Sequence, residues 1–461
     1  MLLLKVEEVA KALGASLKQG DPGKEVVAVT TDSRNVAPGA LFFALRGERY
    51  DGHDFVNDAL AKGAAGAVVS RMVSLEFPEA PILLVPDVLA ALGELAGYVR
   101  RKTGVFVVGI TGSTGKTSTK DMIASVLGVR YQVLSTRGNL NNEIGVPLTL
   151  LGLEPRHRVA VVEMAMRGAG EIAALARISS PNAAVITNIG ETHLERLGSV
   201  RAIAQAKGEI LDYIPPEGFA VLHEESPFMR DQAKRCRGRV IFFGAGSNAT
   251  VRLVGYSPTN GGCKFRVLAD GSEEDYFLPA PGYHNALNAL AAITVAREMG
   301  LNPADIREGL RCVRLSEMRL EIKKCGSLTV INDAYNANPA SMRAALAVLR
   351  EVAGSRRRVA VLGDMLELGQ RARDAHREVG AGAAESADTI VAVGDLARGI
   401  VGGAVAAGLP PEQAVTCPDA EAAVAVLKEI LRGDEVVLVK ASRGMHLEKV
   451  VEALCAGGKE S

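Results

Sequence analysis

The 461-residue sequence has no tryptophan, no Cys-x-x-Cys pair and no excess of charge of either sign. Because 53 basic residues balance 53 acidic ones, general attraction to nucleic acid or to an anionic membrane is not expected. Its six cysteines are scattered, which favours a reducing compartment and indicates no zinc or redox motif. No apolar run is long enough for a transmembrane helix, and the N-terminal leucines are too few for a signal peptide. We therefore expect a cytoplasmic protein, with a monomer as the default.

The composition, 48% hydrophobic and rich in glycine, is that of a globular protein. A chain of 461 residues is too long for a single hydrophobic core. The apolar runs predict an α/β fold in three domains. A small mixed α/β domain covers residues 1–82, and the stretch FVNDALAKGAAGAVVS within it has a helical pattern. A central domain with a mostly parallel sheet covers 83–312, and a third domain of alternating strands and helices covers 313–461.

Polar or charged residues end six of the predicted strands. In doubly wound sheets, ligands bind just beyond the carboxyl ends of the strands. A single such residue is more often a helix cap or a turn residue. Six of them in two consecutive α/β units favour two sheets whose strand ends face one cleft. They are Glu163, Asn188, Asp333, Asp364, Asp395 and Lys440.

The stretch GITGSTGKTSTKDMI at 109–123 lies between an apolar strand and an amphipathic helix, as in a phosphate-binding P-loop. Lys116 would place a charge on the outer phosphates, and Thr117 would offer its hydroxyl to Mg²⁺. The usual P-loop pattern has glycine where this chain has Ile110, so a glycine-rich turn with a solvated lysine is the alternative. The predicted phosphate-binding residues are Gly112, Ser113, Thr114, Gly115, Lys116, Thr117 and Ser118.

Further candidates for phosphate chemistry follow the loop. Glu163 and His193 come just after two predicted strands, and with a threonine hydroxyl they could hold one or two divalent ions. Lys207 lies in the helical stretch AQAKGEIL, where a surface charge is the alternative interpretation. The chain lacks the Asn-Lys-x-Asp motif of a Ras-type GTPase, whereas a motor or transporter ATPase stays open at this point.

The combination of TGSTGKTS, VVEM, TNIGETHLERLGS, AKGEI and GYHNALNALAA resembles the Mur ligase family over essentially the whole chain. Members are ATP-dependent amide-bond ligases of peptidoglycan synthesis, related to the folylpolyglutamate synthetases, and their P-loop has the glycine spacing seen here. The resemblance implies a UDP-substrate domain, a central ATPase and a Rossmann-like domain, in the order of the three segments. The stretches INDAYNANPASM, VLGDMLELGQ and GNLNNEIGVPLTLL resemble the branch that adds D-alanyl-D-alanine (D-Ala-D-Ala) to UDP-MurNAc-tripeptide.

The resemblance also implies roles around ATP and two Mg²⁺ ions. Lys116 and Thr117 would hold phosphates and metal, with Glu163 and His193 as further metal ligands. Lys207 would be the lysine that family members carbamylate to support a second Mg²⁺. The remaining nucleotide residues are His284, Asn285 and Asn288 for adenine, Asp333 for ribose and Arg319 for the γ-phosphate.

Three groups of residues are implied for the other substrates. The uridine nucleotide would be held by Ser33, Arg34, Gly47, Asp51 and His53, and the sugar or peptide by Asn139, Asn141 and Asn142. The dipeptide would enter a cleft lined by Tyr335, Asn336, Asn338, Ser442 and Arg443. His223 stands where the family often has asparagine, so the role of that position is open.

Because Arg319 and Asp333 lie beyond the P-loop domain, the resemblance implies a hinge near 311–318 and closure on ligands. Two other functions stay open: an amino-acid-adding ligase of the same family, and a P-loop ATPase that works as a conformational module. The sequence leaves both meso-diaminopimelate and lysine as the third residue of the peptide.

Overall fold

The computed structural model describes residues 1–192 and 194–456 and contains three α/β domains, as predicted. The N-terminal domain is built on a five-stranded sheet of order β2-β7-β6-β5-β4, in which only β2 is antiparallel to its neighbour. Its elements are β1 (Leu4–Lys5), α1 (Val6–Leu13), β2 (Ser16–Gln19), β3 (Glu25–Val26), β4 (Ala28–Thr30), β5 (Ala40–Phe43), α2 (Val56–Ala61), β6 (Gly66–Val69) and β7 (Ile82–Leu84).

The central domain has a nine-stranded sheet of order β16-β15-β14-β13-β12-β11-β8-β10-β9, parallel from β9 to β14. Its elements up to the fourth parallel strand are α3 (Val88–Thr103), β8 (Phe106–Thr111), α4 (Lys116–Leu127), β9 (Val133–Ser135), α5 (Gly145–Leu151), β10 (Val159–Glu163), α6 (Glu171–Ser179) and β11 (Ala183–Ile186). The rest are α7 (Leu194–Leu197), α8 (Val200–Gly208), β12 (Phe219–His223), α9 (Met229–Ala233), β13 (Arg239–Gly244), β14 (Val251–Thr259), β15 (Gly262–Ala269), β16 (Ser272–Leu278), α10 (Tyr283–Glu298) and α11 (Pro303–Arg311).

The C-terminal domain has a six-stranded sheet of order β17-β18-β22-β19-β20-β21, parallel except for the edge strand β17. Its elements are β17 (Glu321–Cys325), β18 (Leu328–Asp333), α12 (Pro339–Ala353), β19 (Arg358–Gly363), α13 (Ala372–Ala384), β20 (Thr389–Val393), α14 (Arg398–Ala406), β21 (Ala414–Cys417), α15 (Ala420–Ile430), β22 (Val436–Lys440) and α16 (Glu448–Ala456).

Helix α3 joins the first two domains. Asp87 caps it by accepting the N–H groups of Leu89 and Ala90, and Gly104 ends it in the left-handed conformation that glycine favours. Its buried face contains Leu95, which belongs to the same apolar core as Val9 of α1 and as the central sheet. The N-terminal domain is therefore packed onto the central one through a continuous core.

One helical prediction is wrong. Helix α2 ends at Ala61, and the following residues 66–69 form the buried strand β6. The run Gly66–Val69 is buried on both faces between β5 and β7, so it lacks the alternation that marks a half-exposed strand. Two β-branched valines in that run fit a parallel strand better than a helix. In the described part of the chain, no helix combines the length and the apolar character that crossing a membrane requires.

The cysteines also differ from the expectation of six reduced thiols. Cys325 at the end of β17 and Cys455 in α16 form a disulfide, with a sequence separation of 130 and 4.5 Å between their Cα atoms. The bond ties the last helix to the edge strand of the C-terminal sheet. The long separation explains why spacing did not reveal the pair.

Removal of this disulfide should destabilise the C-terminal domain. Cys455→Ser frees a loop of more than a hundred residues in the unfolded chain, which should cost about 2–4 kcal/mol. Denaturant unfolding without reductant measures the difference in the free energy of unfolding between the variant and the unchanged protein. Dithiothreitol should abolish that difference. The exposed free thiol Cys312 provides the control variant Cys312→Ser. Titration of six thiols in unreduced, denatured protein would contradict the bond.

Candidate active site

The P-loop follows β8 and begins α4, and two of its glycines admit no side chain. Gly112 has φ 149°, and a Cβ there would lie 1.9 Å from Oγ1 of Thr187. Gly115 has φ 77°, and its Cβ would lie 2.6 Å from Oδ1 of Asn288. The loop thus closes between β11 and α10. Glycines are needed at 112 and 115, and Ile110 is a fully buried residue of the strand.

Residues after β11 hold the loop in place. The Ser113 N–H donates to the Asn188 carbonyl at 3.0 Å, and the Thr114 N–H donates to Oδ1 of Asn188 at 2.9 Å. The Asn188 amide in turn donates to the Thr114 hydroxyl at 2.5 Å. The Ser113 hydroxyl bonds both backbone groups of Gly190. Asn188, predicted only as a strand end, is therefore the residue that shapes the P-loop.

The Thr117 hydroxyl and the Glu163 carboxylate form the buried acidic part of the site. Thr117 donates to Oε2 of Glu163 at 2.8 Å, and Asn141 donates to Oε1 at 2.8 Å. The Glu163 N–H donates to Oγ1 of Thr136 at 3.0 Å, which fixes the end of β10. With Glu163 only 2% exposed, its charge has to be met by donors or by a cation.

Two lysines lie close to one another at the P-loop. Lys116 donates to the Gly112 carbonyl at 2.9 Å. Burial lowers the pKa of Lys116, an effect that the charge of Glu163 opposes and that of Arg319 reinforces. Lys207 in α8 is 1% exposed, and burial followed by repulsion from Lys116 lowers its pKa well below the usual range. The surface-charge interpretation of Lys207 is thereby excluded.

The oxygen donors present suit a magnesium ion. Mg²⁺ prefers oxygen ligands and usually keeps waters and substrate phosphates rather than an all-protein cage. Thr117 and Glu163 supply a hydroxyl and a carboxylate at the P-loop, where phosphates bind. Residues 1–192 and 194–456 contain no cluster of three or more His, Cys, Asp or Glu side chains that could hold a metal alone. The predicted ligand His193 lies outside the described residues.

Helix α10 brings the central and C-terminal domains together. Burial lowers the pKa of His284 to about 4, with Asp333 opposing this shift and Lys440 reinforcing it. These two residues end β18 and β22 of the C-terminal sheet, where Lys440 donates to Oδ2 of Asp333 at 2.5 Å and to the Asn336 carbonyl at 2.8 Å. One turn further along α10, Asn288 contacts the P-loop glycine and bonds Asn285 at 3.4 Å.

Arg319 lies at the entrance of the C-terminal domain and is directed by aromatic and backbone contacts. Its guanidinium stacks 4.1 Å from the ring centre of Tyr335. The Tyr335 N–H donates to the Met318 carbonyl at 3.3 Å, and the Leu320 N–H donates to Oδ1 of Asp333 at 3.1 Å. The Arg319 charge reinforces the lowered pKa of Lys116, and its contact with the γ-phosphate stays a prediction.

The other C-terminal candidates make internal bonds. Asn338 caps α12 in a reciprocal capping box with Ser341. Ser442 accepts the Leu366 N–H at 2.9 Å, while Arg443 is half exposed and pairs with Glu448 at 3.2 Å. Asn336 is exposed beside the Lys440 contact. Their approach to a dipeptide stays a prediction.

The uridine candidates cluster at one edge of the N-terminal sheet. Ser33 and Arg34 follow β4, and Gly47 begins the loop after β5. His53 is buried: Nδ1 donates to Oδ1 of Asp51 at 2.6 Å, and Nε2 accepts the Ser70 N–H. Arg34 is exposed and pairs with Asp32. His53 thus braces the loop, while Arg34 is open to a ligand.

The three asparagines of the loop before α5 point to different tasks. Asn141 binds Glu163, as described above. Asn142 accepts the Gly145 N–H at 2.9 Å and begins the helix, whereas Asn139 is exposed. At the open position His223, Nδ1 lies 3.0 Å from the Ser226 hydroxyl, which accepts the Ile189 N–H. His223 therefore supports the loop after β11.

Family models and a curated relative match this chain over most of its length. Three family models match in order: "Mur ligase family, catalytic domain" at 25–100, "Mur ligase middle domain" at 110–296 and "Mur ligase, glutamate ligase domain" at 318–443. The Bacillus subtilis UDP-N-acetylmuramoyl-tripeptide–D-alanyl-D-alanine ligase is 38% identical, covering 98% of this chain and 99% of its own. The chain belongs to the Mur ligase family.

Solved structures agree with this membership. MurF from Acinetobacter baumannii has a TM-score of 0.90 at 33% identity, with 98% of this chain and 99% of that chain covered. MurF ligase from Thermotoga maritima, in complex with ADP, has a TM-score of 0.83 at 28% identity, with 94% and 98% covered. This Mur ligase therefore has the fold of those proteins along its length.

In this Mur ligase, His284 should stay neutral near pH 7. Its pKa of about 4 lies below the value of about 6.5 for an unfolded chain. As the pH falls from 6.5 to 4, the unfolded state binds the proton first, so His284 lowers folding stability over that window. An NMR titration, with His284→Asn to assign the signal, measures the midpoint. A midpoint at or above 6.5 would contradict the desolvation of His284 at the junction of α10 with the C-terminal sheet.

Proposed function

We propose that this Mur ligase uses ATP to join D-Ala-D-Ala to UDP-N-acetylmuramoyl-tripeptide in peptidoglycan precursor synthesis. The observation that carries the proposal is the convergence of Lys116, Lys207 and Arg319 on the P-loop, beside the buried Thr117–Glu163 pair. Such a site suits the meeting of a triphosphate and a carboxylate, two anions that repel each other in water. The Bacillus subtilis relative carries the name of this activity.

ATP serves as a substrate that activates the peptide carboxylate. A carboxylate oxygen attacks the γ-phosphorus, the bond to the β,γ-bridging oxygen breaks, and ADP leaves. The amine of D-Ala-D-Ala then attacks the acyl phosphate, the C–O bond to phosphate breaks, and one N–H proton is lost as the amide forms. Lys116 and Arg319 neutralise the phosphate oxygens and hold them in line with the carboxylate.

Mg²⁺ would supply further positive charge to the phosphate oxygens. Thr117 and Glu163 would hold it, and His193 is the additional ligand proposed from the sequence. The Asn141 bond to Oε1 leaves the other Glu163 oxygen facing Thr117, so the carboxylate is already oriented toward the P-loop.

Lys207 is suited to carbamylation. Its depressed pKa favours the neutral amine, whose lone pair can attack CO₂ to give a carbamate and release one proton. Within the described residues, no carboxylate pairs with Lys207. Carbamylation would convert this buried amine, whose protonated form repels Lys116, into an anion that attracts Lys116 and that can bind a second Mg²⁺.

The remaining assignments follow the domain order. The exposed Arg34 and the loops after β4 and β5 would hold the uridine nucleotide, with Asn139 near the sugar or peptide. His284, Asn285, Asn288 and Asp333 would surround the nucleoside of ATP at the junction of α10 with the C-terminal sheet. We further infer a monomer that acts in the cytoplasm, where ATP and nucleotide-linked precursors occur.

An ADP-release assay tests the activity. Purified protein with ATP, Mg²⁺ and UDP-MurNAc-tripeptide should release ADP steadily only when D-Ala-D-Ala is added, because the acyl phosphate needs an amine acceptor. Peptides ending in meso-diaminopimelate and in lysine, offered separately, identify the third residue. Single amino acids are the control acceptors, and preference for one of them would identify another amino-acid-adding ligase. ATP turnover without any acceptor would instead indicate a conformational ATPase.

Replacement of Lys207 tests the carbamate. Lys207→Ala should lower the ligation rate by about 100-fold or more, since one preorganised charge in a buried site is lost. Added acetate or formate should restore part of the rate by occupying the vacated position. Lys102→Ala removes a lysine that pairs with Glu8 far from the P-loop and should be neutral. Full activity of Lys207→Ala would refute the role.

A further inference from the structure

The linker between the central and C-terminal domains is anchored to the P-loop helix by one carboxylate. Asp121 lies one turn after Thr117 on α4, and its Oδ2 accepts both the N–H of Ser316 at 2.8 Å and the hydroxyl of Ser316 at 2.9 Å. The Asp121 side chain is only 12% exposed. Two donors from one residue to one buried carboxylate oxygen fix the backbone of the linker at that point.

The same carboxylate is connected to the acidic part of the site. Its Oδ1 lies 2.6 Å from Nζ of Lys120, which is 5% exposed and donates to the Thr136 carbonyl at 3.0 Å. The Thr136 hydroxyl accepts a hydrogen bond from the backbone N–H of Glu163. A polar chain therefore runs from the linker through α4 and Thr136 to the backbone of Glu163, the residue whose carboxylate contacts Thr117. Removal of one member of such a chain leaves buried charge without a partner.

The linker passes from one domain to the other within three residues. Ser316 is held by the central domain, whereas Met318 and Leu320 bond Tyr335 and Asp333 of the C-terminal domain. Arg319 lies between those last two contacts. Ser316 is thus the last central-domain anchor before Arg319, and its position sets where the guanidinium enters the site.

We propose that Asp121 is a positioning residue: through Ser316 it fixes the linker so that Arg319 faces the P-loop, and through Lys120 it ties that placement to Glu163. The proposal rests on the proposed function, in which Arg319 neutralises the transferred phosphate. Asp121 itself touches no reacting group. Its effect is therefore expected on the rate of phosphoryl transfer rather than on binding of the UDP-linked substrate, whose candidate residues lie in the N-terminal domain.

Kinetics of three variants provide the first test. Asp121→Ala should lower kcat at least tenfold while the KM for the UDP-linked substrate changes less than twofold. Asp121→Asn keeps an oxygen that can accept from Ser316 but places an uncharged amide beside Lys120, so its loss should be clearly smaller than that of Asp121→Ala. Ser316→Ala loses the hydroxyl but keeps the N–H bond, so a loss of about threefold is expected. Equal losses in the Ala and Asn variants of Asp121 would overturn the proposal.

The dependence on Arg319 is the second test. The rate of ADP formation in a single turnover is measured for each variant. When Arg319→Ala is already present, adding Asp121→Ala should lower this rate less than twofold, because the group that Asp121 positions is absent. The same tenfold loss in both backgrounds would mean that Asp121 does not act through Arg319. Tyr256→Phe is the matched control: it breaks another contact between the same two domains, with Glu351 at 2.7 Å, and should change kcat less than twofold.

Amide hydrogen exchange separates this inference from the proposed function. In Asp121→Ala, residues 314–320 should exchange at least tenfold faster, while β10 and the end of α4 keep their protection. That measurement requires no substrate, so it stands even if the protein does not ligate D-Ala-D-Ala. Unchanged exchange in the linker would overturn the anchor, and loss of protection throughout the central domain would show that Asp121 merely maintains the fold.

Discussion

Burial of like charges beside one another is the constraint on which this site depends. Burial lowers the pKa of Lys116 and of Lys207, and repulsion from Arg319 and from Lys116, respectively, adds to that effect. Glu163 is the carboxylate among them that opposes the shift at Lys116. A site with this charge pattern is stabilised by polyanions, so the same repulsion that weakens the free protein favours nucleotide binding.

The fold supplies the rigidity that such a cluster needs. Lys116 begins a helix, Glu163 ends a parallel strand, and Lys207 lies on the buried face of helix α8. Arg319 is the exception, since it sits on a linker between domains. Its direction depends on a stacked tyrosine on one side and on the Asp121–Ser316 bonds on the other. Among the three cations, the position of Arg319 therefore depends most on how the central and C-terminal domains are arranged.

The sequence was sufficient for elements whose information is local. Strands such as Val159–Glu163 and Leu328–Asp333 appear where apolar runs predicted them, and the P-loop glycines appear where backbone crowding requires them. Strands that are buried on both faces are harder to predict. Gly66–Val69 is an example, since its sequence predicts part of a helix and the structure has a strand. A run that is buried on both faces carries no period that separates it from a helix.

Contacts between distant residues could not be predicted in the same way. The Cys325–Cys455 bond joins positions that no spacing rule relates, and Asp121 reaches Ser316 across 195 residues. Lys440 was visible as a strand end, yet its bond to Asp333 depends on the adjacent placement of β18 and β22. Polar residues at strand ends can be found in a sequence, but their partners follow from the order of strands in the sheet.

The asparagine-rich loop after β18 illustrates a further distinction, between residues that mark a site and residues that contact its ligand. Asn338 is used by the capping box of α12, and the Asn336 carbonyl is used by Lys440. Both bonds hold the loop so that Tyr335 stacks under Arg319. The sequence motif of this loop can therefore fix the position of the Arg319 cation through helix capping and ion pairing. Few side chains of the motif then remain to bind substrate. The loop after β18 holds Arg319 through Tyr335, and the charge of Arg319 acts on Lys116, so the proposed site draws on residues of both domains.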